Sequence, residues 1–172
     1  MKIISIMGTS GLFGFFHKGK YYFIYSHFDS YYSYLGVNLV EELRKLLKEG
    51  GRDALLEKFL ALTFVEVNNA PIPSADVIDR LAPYTDLQVS NQSTADWYCL
   101  TRKMQSNYTP TLDSGIFYGT ITDSIAAAVS QNGYIQYVYF IDFDNDAFVY
   151  SLEGDFESVD FDHLDKLDFL SI

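Results

Sequence analysis

The chain has little sulfur, little proline and little positive charge. One cysteine, Cys99, stands among 172 residues. That excludes an intrachain disulfide and leaves a cysteine-based zinc site without partners. Cys99 falls in an apolar helical pattern, where a buried structural thiol is expected, and a reducing compartment fits. Lys and Arg number 12 against 23 Asp and Glu, a net charge of −11. Such a charge repels phosphate backbones and anionic lipid surfaces, so neither nucleic acid nor membrane is expected as a partner. The few cations gather at Arg44, Lys45, Lys48, Arg52 and Lys58, and again at Arg102 and Lys103. On helices they read as solvated faces. No segment carries the ~20 apolar residues of a membrane-spanning helix. The opening MKIISIMG is too short for a signal peptide and reads as a strand. With no repeat, low-complexity tract or linker, one domain is expected over residues 1–172.

Aromatic residues are abundant instead. Fourteen Tyr and 14 Phe bring the aromatic share, with Trp97, to 17%, which favours sheet with aromatic cross-strand packing. Residues 2–6 are apolar and β-branched, a lead-in strand. Leu12 to Phe16 and Tyr21 to His27 read as a hairpin turning through His17-Lys18-Gly19-Lys20. Both are apolar on both faces, as in covered central strands or strands used for contact.

Leu39, Val40, Leu43, Leu46 and Leu47 form a helical stripe that stops at Gly50-Gly51. A second helix is predicted from Arg52 to Val65, making an αα-hairpin. Further helices are predicted from Ser74 to Leu81, with Ser74 as N-cap, and from Ser93 or Thr94 to Gln105, with Trp97 inward. Ser106 to Ser114 reads as loop. A strand over Gly115–Ile121, an Ala-rich helix over Asp123–Gln131, a hairpin of Tyr134–Phe143 with Ala147–Leu152, and a strand over Phe156–Val159 follow, before a last turn around His163–Leu167. Strands, helices, then strands predict an α+β fold: a single mostly antiparallel sheet built from both chain ends, packed against a central helical segment, with helices on one face.

Three constellations carry chemical interest. Ser26-His27-Phe28-Asp29-Ser30 places a titratable imidazole two residues from a carboxylate, on one face of an extended chain. His27, Asp29 and Ser30 are the candidate catalytic or ligand-clamping residues, with a structural role as the competing reading. Asp142, Asp144, Asp146 and Glu153 fall at four ligand positions of a calcium loop, but Ala147 stands where the sharp turn needs Gly and the flanks are strands. A hairpin turn is expected there, with no metal and no cofactor anywhere. Gly8-Thr9-Ser10-Gly11 offers small residues before a strand, without the Lys and helix of a phosphate loop. Thr9 or Ser10 would serve as an N-terminal nucleophile only after a cleavage that nothing in the sequence marks.

Met7-Gly8-Thr9-Ser10-Gly11-Leu12, Lys18-Gly19-Lys20-Tyr21-Tyr22, His27-Phe28-Asp29-Ser30-Tyr31 and Leu35-Gly36 resemble one family pattern. Trp97-Tyr98, Arg102-Lys103-x-Gln105 and the hairpin at Tyr137 to Asp142 extend the resemblance over most of the chain. The pattern is a Met-Gly-Thr-Arg-Gly-Leu start, a Lys-Gly-Lys-Tyr-Tyr hairpin and a His-x-Asp-Ser-Tyr-Pro element. It belongs to a family of no assigned activity in large DNA viruses of the marseillevirus type, in fungi and, more remotely, in phages. Ser10 stands where that pattern has Arg, which puts any ligand role of that Arg in doubt. Tyr32 stands where it has Pro, which implies a softer turn before the first helix. The resemblance also makes Met7 an alternative start, with residues 1–6 an extension, and implies a viral protein located in host cytoplasm or packaged in a virion.

The leading expectation is non-enzymatic. No complete catalytic set is present, and the aromatic excess suits a small acidic soluble protein that associates, as a homodimer or with a host or viral protein. The rival is a small-molecule hydrolase or ligand-binding protein using His27, Asp29 and Ser30.

Overall fold

A computed structural model describes residues 9–172; the strand expected at residues 2–6 lies outside them. Among the described residues seven strands form one mixed sheet. In chain order they are β1 (Gly11–His17), β2 (Lys20–Ser26), β3 (Thr63–Glu66), β4 (Ile116–Thr122), β5 (Tyr137–Asp142), β6 (Ala147–Leu152) and β7 (Asp155–Asp160). Their order across the sheet is β3-β4-β2-β1-β5-β6-β7. Four neighbouring pairs are antiparallel; β1–β5 and β3–β4 are parallel. The fold is α+β, and the two chain ends meet at its centre, where β1 runs beside β5 from Gly11↔Tyr137 to Phe16↔Asp142.

Alternation along these strands builds a core on each face. Phe13 and Phe15 of β1, Tyr139 and Ile141 of β5 and Phe148 of β6 point to one side, against Leu39, Leu43, Leu55 and Phe59 of α1 (Val37–Leu60). Leu12, Phe23, Val138 and Phe140 point to the other, against Ile125, Ala128 and Val129 of a short helix, Ile125–Gln131. Strands apolar at both parities need cover on both sides, so the expectation of helices on one face alone does not hold. It also removes the strand faces as free contact surfaces.

The hairpins sit where turn chemistry put them. Lys18 and Gly19 both have positive φ, 49° and 77°, the handedness that keeps a two-residue turn in step with strand twist. Asp144 in the neighbouring β5–β6 turn accepts hydrogen bonds from the Lys18 and Gly19 amides, at 2.8 and 3.1 Å. The two turns at that end of the sheet are therefore tied together.

Several helical expectations change. The break expected at Gly50-Gly51 is present: Gly51 leaves helical geometry, at φ 79° and ψ −178°, and two helices meet there across a kink with no loop between them. The second half ends at Leu60 rather than Val65, because Thr63-Phe64-Val65 pairs in parallel with Ile116-Phe117-Tyr118 as β3. The helix expected from Ser93 to Gln105 shrinks to Trp97–Leu100 and a 3-10 turn, Arg102–Met104, capped by Asp96 accepting from the Tyr98 amide. The segment expected as loop contains a helix, Thr109–Ser114, with Pro in its first turn and Gly115 in left-handed conformation at its end. Glu42 of α1 accepts from the Tyr108 and Thr109 amides at its start, a carboxylate where the helix dipole favours one. The helix Ala75–Leu81 is capped as expected by Ser74, which accepts from the Val77 amide.

Candidate functional site

The corner where β2 hands over to α1 holds the sequence-predicted residues. The chain leaves the sheet after Ser26, and Asp29 adopts φ 53°, a left-handed turn that Asp tolerates better than most residues. A π-helical turn, Tyr32–Gly36, then leads into α1. Where the resembling pattern has Pro, Tyr32 pins this turn by packing. Its ring stacks on Phe169 at 5.3 Å and its hydroxyl donates to the Ser151 carbonyl.

Ser30 is fully buried at the centre of the corner. Its amide donates to both the carbonyl and the hydroxyl of Thr9, its hydroxyl donates to the Ser26 carbonyl, and its carbonyl accepts from Tyr139. A Cβ on Gly11 would come within 2.7 Å of Ser30 Cβ, so the β1 backbone approaches here only because residue 11 is Gly. Ser30 is a knot in the fold with no access for a substrate. Asp29 lies exposed on the surface, and its carbonyl accepts from the Leu35 amide. Among the described residues it makes no ion pair with His27. The His–Asp–Ser set is therefore adjacent in sequence but not assembled.

His27 has other partners. Its Nδ1 lies 2.8 Å from the Tyr25 hydroxyl, which lies 3.0 Å from Ser10 Oγ. Its amide donates to Gln105 Oε1, which also accepts from Arg102. Partial burial, reinforced by the Arg102 cation, lowers the His27 pKa below its usual value, so the ring is neutral at pH 7. A hydroxyl–phenol–imidazole chain can carry a proton, but among the described residues no carboxylate completes it. Tyr25 was findable in the sequence, since it lies two residues before His27 on one strand face. Gln105 and Arg102 arrive from 75 or more positions away and left no local signal.

The cleft beside this chain is lined by Tyr25, Tyr98, Thr101, Gln105, Thr120 and Asn132, among others, and holds about 30 Å³, room for a single water. His27, Asp29 and Ser30 do not line it. What the corner does present is aromatic surface. Phe28, Tyr31 and Tyr34 are 50%, 37% and 59% exposed. Tyr31 packs on both Tyr34 and Tyr137, with ring centres 6.1 and 6.2 Å apart, and the Arg102 guanidinium lies 5.5 Å over the Phe28 ring.

The other candidates resolve into structural roles. Asp142 accepts from the Asp144 and Asn145 amides, Asp144 holds the Lys18-Gly19 turn, and Asp146 takes a hydrogen bond from Arg52. Among the described residues no group of three or more His, Cys, Asp or Glu side chains is placed to hold a metal. Cys99 is buried with its thiol on the Val89 carbonyl, and Trp97 is buried with its indole N–H on the Pro71 carbonyl. No helix among the described residues is long and apolar enough to cross a membrane. No protein-family model matches this chain, and neither a curated protein nor a solved structure matches it.

Proposed function

We propose that this protein acts by association: it forms a homodimer and engages a host or viral protein through its aromatic corner. The observation that carries this is the exposed set Phe28, Tyr31 and Tyr34 beside Arg102. Tyr and Arg are the residues most enriched at the energetic centres of protein interfaces, and these sit on a corner braced by buried hydrogen bonds. The hydrolase alternative loses support, because Ser30 is buried and Asp29 is turned to solvent without His27. A viral setting, in host cytoplasm or virion, rests on the sequence resemblance alone.

Two measurements test it. Light scattering at micromolar concentration is expected to give twice the 19.6 kDa chain mass; a monomer sinks the homodimer. A photo-crosslinking residue at Tyr34 is expected to capture one defined partner band in producing cells, lost when Phe28 and Tyr31 become Ser. Crosslinks no different from those at the exposed Lys58 sink the corner.

A further inference from the structure

α1 and the segment after β7 enclose a long open groove on the helical side of the sheet. Arg44 fastens it: one guanidinium nitrogen donates to the carbonyls of Leu164 and Leu167, at 2.7 and 2.8 Å. One stretch of the groove has a volume of about 660 Å³, with Lys45 and Lys48 on the α1 wall and Asp162 and Asp165 on the other. The adjoining stretch, of about 520 Å³, shares Leu47 and Phe161 with it and runs on to Arg52, Asp146 and Asp160. The floor is thus apolar, with Leu47, Phe161 and Leu164, and the walls differ in sign: the α1 wall is mainly basic, Glu41 apart, and the other is acidic. Among the described residues no ion pair crosses the first stretch, where Lys45 pairs along its own helix with Glu49, at 3.9 Å; in the adjoining stretch Arg52 pairs with Asp146 across the groove, at 2.8 Å.

We propose that this groove is the homodimer face, occupied by a second copy of the chain. This rests on the association reading above and gives it a location. In a twofold dimer each surface meets itself, so the contact must be self-complementary. A strip of one sign fails that requirement. A strip with a basic wall beside an acidic wall meets it when the twofold axis runs along the groove, which sets each copy's Lys45 and Lys48 against the partner copy's Asp162 and Asp165. The requirement is strict here, since two chains at −11 each repel one another everywhere except where local charges alternate. The outer edge strand β7, with Asp155, Glu157 and Asp160, is protected by the same repulsion from pairing with its own copy. The far stretch of the groove ends at the β5–β6 turn, the opposite end of β5 from Tyr137 of the aromatic corner.

Sedimentation equilibrium on four samples tests the proposal: the full chain, K45E/K48E, D162K/D165K, and an equal mixture of the two variants. The full chain is expected to dimerise at micromolar concentration, and each variant alone to dimerise at least tenfold more weakly. The mixture is expected to regain a dimer, one chain with two acidic walls against one with two basic walls. A variant that misfolds is detected by circular dichroism and replaced by the single changes K48E and D162K. A monomeric full chain overturns this proposal and the homodimer reading together. A dimer indifferent to both variants, or a mixture that stays monomeric, overturns the groove alone and leaves association at another surface.

Discussion

The Tyr139 hydroxyl donates to the Ser30 carbonyl at 2.7 Å, across 109 residues of sequence, with both residues fully buried. This bond ties the central strand β5 to the corner where sheet becomes helix. Replacing Tyr139 with Phe keeps the ring but leaves a buried carbonyl unsatisfied, which costs about 1–3 kcal/mol. The thermal midpoint is expected to fall by about 2–4 °C for each of those kcal/mol. A midpoint within 1 °C of the parent would show that the bond contributes nothing.

Tyr108 is buried with its hydroxyl on the Gly14 carbonyl. Burial, with Glu42 adding to it, pushes its pKa well above the usual tyrosine value, and burial raises Tyr139 likewise. Unfolded tyrosines ionise near pH 10. Above that pH the folded state binds more protons than the unfolded state. Stability is therefore complete below about pH 10 and falls as pH rises, with a slope approaching about 1.4 kcal/mol per unit for each such tyrosine. Urea midpoints between pH 8 and 11 should show the decline, and Tyr108→Phe should make it shallower. Equal slopes for the two proteins would refute the assignment.

His27 titrates in the opposite sense to a salt-bridged histidine. Its folded pKa is lowered, first by burial and then by Arg102. Its contribution is thus fully present above the unfolded value near 6.5 and is lost as pH falls through the folded one. An NMR titration should place the His27 midpoint below 6.5. Arg102→Gln should raise it part of the way back, since burial remains. A midpoint at or above 6.5 in the parent would contradict this.

Gly119 passes under β2 with no room to spare. A Cβ there would lie 2.0 Å from the Phe23 carbonyl oxygen, where the β2–β4 pairing ends. Gly119→Ala is expected to cost more than ~4 kcal/mol and to remove most soluble protein. Gly133→Ala meets no neighbouring atom and carries only the strain of its φ of 82°, a cost near 1–2 kcal/mol. Comparable unfolding midpoints for the two variants would exclude the clash.

The elements legible in the sequence are those with local causes. The two hairpins carried their own turn residues, Lys18-Gly19 and Asp144-Asn145-Asp146, and the α1 stripe carried its own period. Thr63-Phe64-Val65 was absorbed into a helix because a four-residue edge strand is defined by its partner, Ile116-Phe117-Tyr118, more than 50 positions on. The fragmentation after Asp96 has the same origin, since Trp97 donates to the Pro71 carbonyl and the Cys99 carbonyl accepts from the Asp86 amide, contacts that helical period cannot foresee. At the candidate site, sequence proximity suggested His27 with Asp29. The left-handed turn at Asp29 separates them, and only the fold brings Gln105 and Arg102 to that ring.

The parallel pairing of β1 with β5 also sets a schedule for synthesis. Residues 11–16 find their central neighbour only in residues 137–142. At ~5–20 residues per second, the β1–β2 hairpin waits roughly 6–25 s on the ribosome, with the β2 edge open until β4 is made, the β1 edge open throughout, and aromatic rings on both faces. That interval is when the nascent chain is most exposed to aggregation, so shielding of the open hairpin during synthesis bears on its yield.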